Sequence, residues 1–240
     1  MNSVITIPVF GDNYIYLYQY DQNKAIVIDP GDSSPVLKAL KEYGLNLTAI
    51  LVTHHHWDHI GGVSELKKKT GCLIIGGDKQ RINGIDRIVE NGQFLNFGNI
   101  IINVIATPGH TRTGICYHIP YNQENGILFT GDTLFIGGCG RLLECDAKTM
   151  WNSLQKLAAL PENTNVYCGH DYTLENYEFA LETEPNDLLI QQRLNEIRQI
   201  VQQGKFTVPS TIAQEKATNL FMRAKTPEIF AELRHRKDMF

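Results

Sequence analysis

Short apolar runs, each closed by glycine or a polar turn, follow one another along the first part of this chain: NYIYLYQY, AIVIDPGD, AILVTHHH, CLIIGGD, NIIINVIATPGH, ILFTGDTLF and NVYCGHDY. Their length, their Ile, Val and Tyr content and their Gly/Asp borders predict strands. Between some of them lie helical patterns: SPVLKALKEYG with Leu37 and Leu40 on one face, GVSELKKKTG, and DAKTMWNSLQKLAAL, where Met150, Trp151, Leu154, Leu157 and Ala158 keep helical spacing. Strands outnumber helices, which favours two sheets packed face to face with helices outside over a doubly wound parallel sheet. The expected class is α+β.

After Tyr172 the texture becomes helical. LENYEFALE is followed by DLLIQQRLNEIRQIVQQG with Leu188, Leu189, Leu194, Ile197 and Val201 near one stripe. TIAQE carries a capping-box pattern from Thr211 to Gln214, and TPEIFAELRHR starts with Thr226 as cap and Pro227 in the first helical position. The expectation is a first domain over residues 1–172 and an appended helical domain over 173–240.

Composition excludes several partners. A formal net charge of −4 lacks the clustered basic surface that nucleic acid or an anionic membrane requires, although RHRK at 234–237 is locally basic. No segment reaches the roughly 18 apolar residues of a membrane span, and the N-terminus has no signal-peptide pattern. The 5 cysteines, Cys72, Cys116, Cys139, Cys145 and Cys168, are scattered without a C-x-x-C spacing and read as reduced thiols. These features predict a cytoplasmic protein without nucleic-acid or membrane partners, and the expected state is a monomer.

The stretch THHHWDHIGG, residues 53–62, concentrates metal-binding chemistry at one strand end. Alternate residues of an extended segment point the same way, so His54 and His56 are placed to grip one ion from one side while His55 points elsewhere. Asp58 and His59, just past the strand, suit a second ion. One segment cannot fill two coordination shells. TPGHT places His110, FTGDTLF places Asp132 and YCGHDY places His170 after further apolar runs, each behind a glycine that allows a tight turn. Of the 8 histidines, His55, His118 and His235 are left as bystanders.

These motifs, T-H-x-H-x-D-H-x-G-G, G-H-T, G-D-T and G-H, resemble those of the metallo-β-lactamase superfamily. The resemblance implies a four-layered αββα sandwich with a C-terminal all-helical domain and two divalent ions, zinc with iron or manganese as alternatives. It assigns His54, His56 and His110 to the first ion, Asp58, His59 and His170 to the second, and Asp132 to both, which makes Asp58 and Asp132 the catalytic carboxylates. Two close ions activate a shared water and polarise a carbonyl, so hydrolysis needs no protein nucleophile, and no G-x-S-x-G elbow is present. Asp29 in IVIDPGD reads as a general base or, in the blander account, as a buried support for the ligand loop. Cys139 and Cys168 read as inert.

DNYIYL, GGCGR after FTGDTLF, VYCGHDYT, LFMR and the C-terminal R-x-x-K-D extend the likeness to the hydroxyacylglutathione hydrolase (glyoxalase II) family. That resemblance implies a glutathione thioester as the small-molecule partner, with Arg234 and Lys237 on its glycine carboxylate and Arg141 and Tyr172 as further contacts. Two departures stand out. Leu142 and Leu143 follow Arg141 where the family often carries an aromatic, and Gly114 occupies a position where a second histidine is common. The rival readings are an iron-dependent glutathione persulfide dioxygenase and a non-catalytic metal- or glutathione-binding protein on the same fold.

Overall fold

The computed structural model describes residues 3–120 and 125–240. The chain divides into two compact units: Met1–Ala106 with Ile115–Ile119, and Thr107–Gly114 with Pro120–Phe240.

The first unit contains β1 (Ser3–Val9), β2 (Asn13–Asp21), β3 (Lys24–Ile28), α1 (Ser33–Tyr43), β4 (Asn46–Val52), α2 (Trp57–Ile60), α3 (Val63–Thr70), β5 (Leu73–Gly76), β6 (Arg87–Ile88), β7 (Phe94–Phe97), β8 (Ile100–Ala106) and β9 (Ile115–Ile119). The strands β1 to β6 form one sheet in sequence order. Its first two pairings are antiparallel and the next three parallel. The switch follows from the connections: tight turns join β1–β2 and β2–β3, whereas α1 and α3 supply the crossovers that parallel neighbours need. Asp32 caps α1 by accepting from Ser34 N at 2.8 Å, and Gly44 ends it in the left-handed conformation at φ 65°.

Residues of β2 are buried on both faces. Ile15 and Leu17 join Val27, Ile50, Val36, Leu40 and Leu66 in an aliphatic core, while Tyr14, Tyr16 and Tyr18 alternate to the other side. Each fully buried aliphatic side chain contributes roughly 1.5–3 kcal/mol. On that other side lie β7, β8 and β9, an antiparallel trio. Tyr20 of β2 meets Phe97 of β7 at 5.8 Å, and the Tyr117 hydroxyl of β9 donates to the Val52 carbonyl of β4 at 2.9 Å. Sheet-on-sheet packing is therefore already present inside this unit.

The second unit contains β10 (Ile127–Gly131), β11 (Leu134–Phe135), β12 (Gly138–Cys139), α4 (Ala147–Ala158), β13 (Asn165–Cys168), α5 (Thr173–Thr183), α6 (Leu188–Gln202), β14 (Ser210–Thr211), α7 (Ile212–Thr218), α8 (Leu220–Arg223) and α9 (Pro227–Met239). β10 and β13 run parallel, with α4 between them in sequence, and β14 adds antiparallel to β13. The change of texture at Tyr172 lies inside this unit. Beyond it the chain is helical except for the two-residue β14. Both expected caps form: Thr211 accepts from Gln214 N at 3.2 Å and Thr226 from Ile229 N at 3.3 Å.

The tail is tied to the strands by polar bonds in a dry interior. Glu215 of α7 is fully buried and accepts from Gly137 N at 2.9 Å, from Asn219 Nδ2 at 2.9 Å and from Ser210 Oγ at 2.5 Å. Asn219 also donates to the Phe135 and Gly138 carbonyls at 3.2 and 3.0 Å. Among the described residues, no helix is long and apolar enough to cross a membrane.

Candidate metal centre

In the first unit the histidine-rich segment begins where β4 stops and runs extended to His56, which caps α2. Extended backbone sends His54 and His56 to one side. His54 Nε2 lies 3.0 Å from His56 Nδ1, and the rings meet edge-on at 4.6 Å. His55 turns away, its Nε2 3.1 Å from Arg81 Nη1. The short α2 then brings His59 back beneath His54, ring centroids 4.2 Å apart, with His59 Nε2 3.4 Å from Asp58 Oδ2.

Asp29 organises this segment from the end of β3. It is buried and holds a left-handed backbone at φ 49°. Its Oδ1 accepts from Thr53 N at 2.7 Å, and its Oδ2 accepts from Thr53 Oγ1 at 2.6 Å and from His59 Nδ1 at 3.1 Å. The last bond chooses the His59 tautomer: the proton sits on Nδ1 and leaves Nε2 with a lone pair. Thr53 Oγ1, its own proton committed to Asp29, accepts from His54 Nδ1 at 3.0 Å, which by the same logic leaves His54 Nε2 to accept from His56 Nδ1 at 3.0 Å. Although Asp29, His54 and His59 have ligand atoms within 4.8 Å of one another, the oxygens of Asp29 are occupied by Thr53 and His59. It holds the His59 ring and the start of the histidine-rich segment.

Asn13, at the start of β2, donates from Nδ2 to Asp58 Oδ2 at 2.9 Å. The motif DNYIYL thus owes its asparagine to the ligand loop, a role invisible in sequence because the partner lies 45 residues away. The glycine of DPGD has a backbone reason: a Cβ on Gly31 would stand 2.0 Å from the Asp58 carbonyl oxygen.

In the second unit, His110 sits in a turn pinned by α4, where Ser153 Oγ donates to the Pro108 carbonyl at 2.7 Å. His110 Nδ1 donates to the Arg141 carbonyl at 2.9 Å, and its Nε2 faces Asp132 Oδ2 at 3.4 Å. Asp132 and His170 leave the C-terminal ends of the parallel neighbours β10 and β13, the usual location of sites in such pairs. His170 Nε2 lies 3.3 Å from the same Asp132 Oδ2. One carboxylate oxygen is therefore nearly equidistant from two imidazoles. Gly140 permits this, since a Cβ there would stand 2.0 Å from the Asp132 carbonyl oxygen.

Imidazole nitrogens and carboxylate oxygens converge at these distances in each unit. Within each unit such a donor set fits a divalent metal. The thiols do not belong to it. Burial pushes Cys139 up to about 11 and Cys168 up to about 12, far from the thiolate a metal needs.

The residues expected to touch substrate all fall in the second unit. Arg141 is exposed. Tyr172 stacks flat on His170, centroids 5.0 Å apart and planes at 7°, and meets Phe135 edge-on at 5.4 Å. Arg234 and Lys237 are 5% and 9% exposed, so RHRK is buried on one face, while His235 and Arg236 between them are exposed. Arg234 Nη1 donates to the Cys139 carbonyl at 2.9 Å and its Nε to Asp238 Oδ1 at 3.0 Å, while the guanidinium lies 5.1 Å over Phe221. Lys237 pairs with Glu175 and lies 4.9 Å over Phe240. At Gly114, a Cβ would meet the Thr107 carbonyl oxygen at 3.0 Å, so a larger residue there requires the turn to give.

The model of the metallo-β-lactamase superfamily matches residues 8–170, and the model of the hydroxyacylglutathione hydrolase C-terminus matches residues 171–240. A hydroxyacylglutathione hydrolase of Methylococcus capsulatus is 40% identical over 257 residues, covering 100% of this chain and 99% of the relative. The chain belongs to the hydroxyacylglutathione hydrolase family. Another member of that family, from Photobacterium profundum, is 43% identical with 100% of both chains covered. Among solved structures, ETHE1 from Myxococcus xanthus superposes with a TM-score of 0.74 at 26% identity over 97% of this chain and 90% of its own. The BLEG-1 B3 metallo-β-lactamase gives 0.68 at 25% identity, over 93% and 100%. The family has the α+β metallo-β-lactamase fold with a C-terminal helical domain, as the motifs implied.

Proposed function

We propose that this chain hydrolyses the thioester bond of S-(2-hydroxyacyl)glutathione, with S-D-lactoylglutathione as reference substrate, releasing a 2-hydroxy acid and glutathione as the second step of methylglyoxal detoxification. The observation that carries the reading is the end-to-end alignment of the chain with hydroxyacylglutathione hydrolases, supported by imidazole nitrogens of His59, His110 and His170 that face the carboxylates of Asp58 and Asp132. On this reading His54, His56 and His110 would hold one divalent ion, Asp58, His59 and His170 would hold another, and Asp132 would serve both. The ions are zinc, with iron or manganese as alternatives that nitrogen and oxygen donors also accept. Two such ions supply an activated water and a Lewis acid for the thioester carbonyl.

The chain's own residues prepare the site. Asp29, Thr53 and the Arg141 carbonyl hold the Nδ1 protons of His59, His54 and His110 and thereby fix ring orientation before any ion arrives. Asn13 holds Asp58 in place, and Tyr172 packs the ring of His170. A thiol leaves as thiolate near its ordinary pKa of about 8.5, so the leaving group needs no protein acid.

Residues 1–172 are the catalytic part and residues 173–240 the substrate-binding part. Lys237 exchanges Glu175, whose side chain is 61% exposed, for a glutathione carboxylate. Arg234 contributes charge to the same anion while holding the Cys139 carbonyl, and Arg141 and Tyr172 add contacts. The protein acts as a monomer in the cytoplasm, where its five free thiols remain reduced. The deciding experiment is S-D-lactoylglutathione cleavage by protein of measured metal content, run beside oxygen uptake on glutathione persulfide. Thioester cleavage without oxygen uptake is expected, and the reverse pattern overturns the reading.

A further inference from the structure

Two large aromatic side chains are left on the surface beside the ligand loop. Trp57, between His56 and Asp58 in the chain, is 69% exposed, and Phe10 is 50% exposed. Their rings contact each other, centroids 5.2 Å apart at 50°. Both positions are costly. An exposed tryptophan forgoes the burial that makes it stabilising, and Phe10 holds a left-handed backbone at φ 54°, where a bulky L-residue is strained.

The strain is held in place by the ligand loop itself. The Phe10 ring lies against Gly31, where an added Cβ would meet Phe10 Cε2 at 2.9 Å and the Asp58 carbonyl at 2.0 Å. Three residues on, Asn13 is bonded to the Asp58 carboxylate at 2.9 Å. The turn carrying Phe10 and the turn carrying Trp57 are thus locked together around Asp58, and the ring pair is a fixed feature of that loop.

We propose that Phe10 and Trp57 form an aromatic lip that receives the acyl substituent of the substrate and sets which acyl groups are hydrolysed. The inference rests on the thioesterase reading above. If Asp58 serves the ion that polarises the carbonyl, the part of the substrate beside a residue adjacent to Asp58 lies within a few bonds of that carbonyl, since neighbouring Cα atoms are about 3.8 Å apart. The variable group there is the acyl side chain. An exposed pair of ring faces recognises flat or branched apolar substituents by desolvation and stacking. A lactoyl methyl group covers little of such a surface, whereas a phenyl group covers much of it.

The test compares kcat/KM for two glutathione thioesters, the lactoyl and the 2-hydroxy-2-phenylacetyl, in the metal-loaded wild type and in Trp57→Ala, Trp57→Phe and Phe10→Ala. Metal content is measured for each. The expected result is a fall of about 10-fold in the phenyl-to-methyl ratio for Trp57→Ala, a smaller fall for Phe10→Ala, and recovery of most of the ratio in Trp57→Phe, with metal content constant. A ratio that stays at the wild-type value in both alanine variants overturns the lip while leaving the thioesterase reading intact. Loss of metal from Trp57→Ala with an unchanged ratio per bound metal also overturns it, because the residue then acts on the loop alone. A wild type that cleaves neither thioester ends both proposals.

Discussion

Asp29 Oδ2 lies 3.1 Å from His59 Nδ1 while the same carboxylate accepts both the amide and the hydroxyl of Thr53. One side chain from the end of β3 therefore orients a ligand on α2 and the first residue of the ligand loop. Asparagine tolerates the left-handed backbone of this position, so Asp29→Asn keeps the turn and removes the charge. Metal affinity should fall about 10–100-fold, the usual cost of losing an outer-sphere partner. Metal titration with a colorimetric chelator reads it; affinity equal to wild type would show that the bond is ornamental.

Asp132 is the carboxylate that stands between two imidazoles. Asp132→Ala is expected to lose at least one ion per chain and nearly all thioester turnover. Elemental analysis and single-point assays on the purified variant check this together.

Lys237 is held by Glu175 in the structure. If that pair opens for substrate, Lys237→Ala raises KM several-fold with little change in kcat, since a contact made equally in ground and transition states affects binding alone. Glu175→Gln should move KM the other way by removing the competing carboxylate. Steady-state kinetics on both variants decide between this and a purely structural ion pair, for which both substitutions leave KM alone.

Burial raises the Glu215 carboxyl above its ordinary value of 4.5. A raised folded pKa means that this group's favourable contribution is complete below about 4.5 and is lost as pH climbs through the folded value. Glu215→Gln, which can keep accepting from Gly137 and Asn219, should therefore gain stability relative to wild type as pH rises toward neutrality. Glu215→Ala leaves buried donors unmet and should cost about 2–4 kcal/mol at pH 4.5 and less at pH 7.5, where the wild type has lost part of this contribution. Urea denaturation at pH 4.5 and pH 7.5 measures both; a pH-independent gap for the glutamine variant would be the contrary result.

With Cys139 raised to about 11 and Cys168 to about 12 inside the protein, neither carries appreciable thiolate at pH 8. Iodoacetamide should leave both unmodified in the native state, with alkylation at Cys145, which is partly exposed, preceding any other. Peptide mass mapping before and after unfolding reads the order.

Much of this was legible in the chain. The strand runs end where glycine and polar residues say they end, and the caps at Thr211 and Thr226 form because capping needs only residues three apart. The short pieces β6, β11, β12 and β14 were not legible, being two residues each and dependent on a partner strand. The basic RHRK run was ambiguous for a similar reason. At helical spacing Arg234 and Lys237 share a face, but whether that face is wet or buried depends on Phe221, Phe240 and the Cys139 carbonyl.

The amino-acid sequence by itself determined that His54, His56, Asp132 and His170 lie at strand ends and that alternate histidines take opposite directions, because these follow from backbone period and turn chemistry over a few residues. Only the tertiary structure decided what the Nδ1 of His54, His59 and His110 meets, that Asp29 bonds His59, and that Arg234 is clasped by Cys139 and Asp238. The Asp29–His59 and Arg234–Cys139 contacts join partners 30 and 95 residues apart. A hydrogen bond between groups so far apart in the chain exists only once packing has excluded water and brought donor to acceptor.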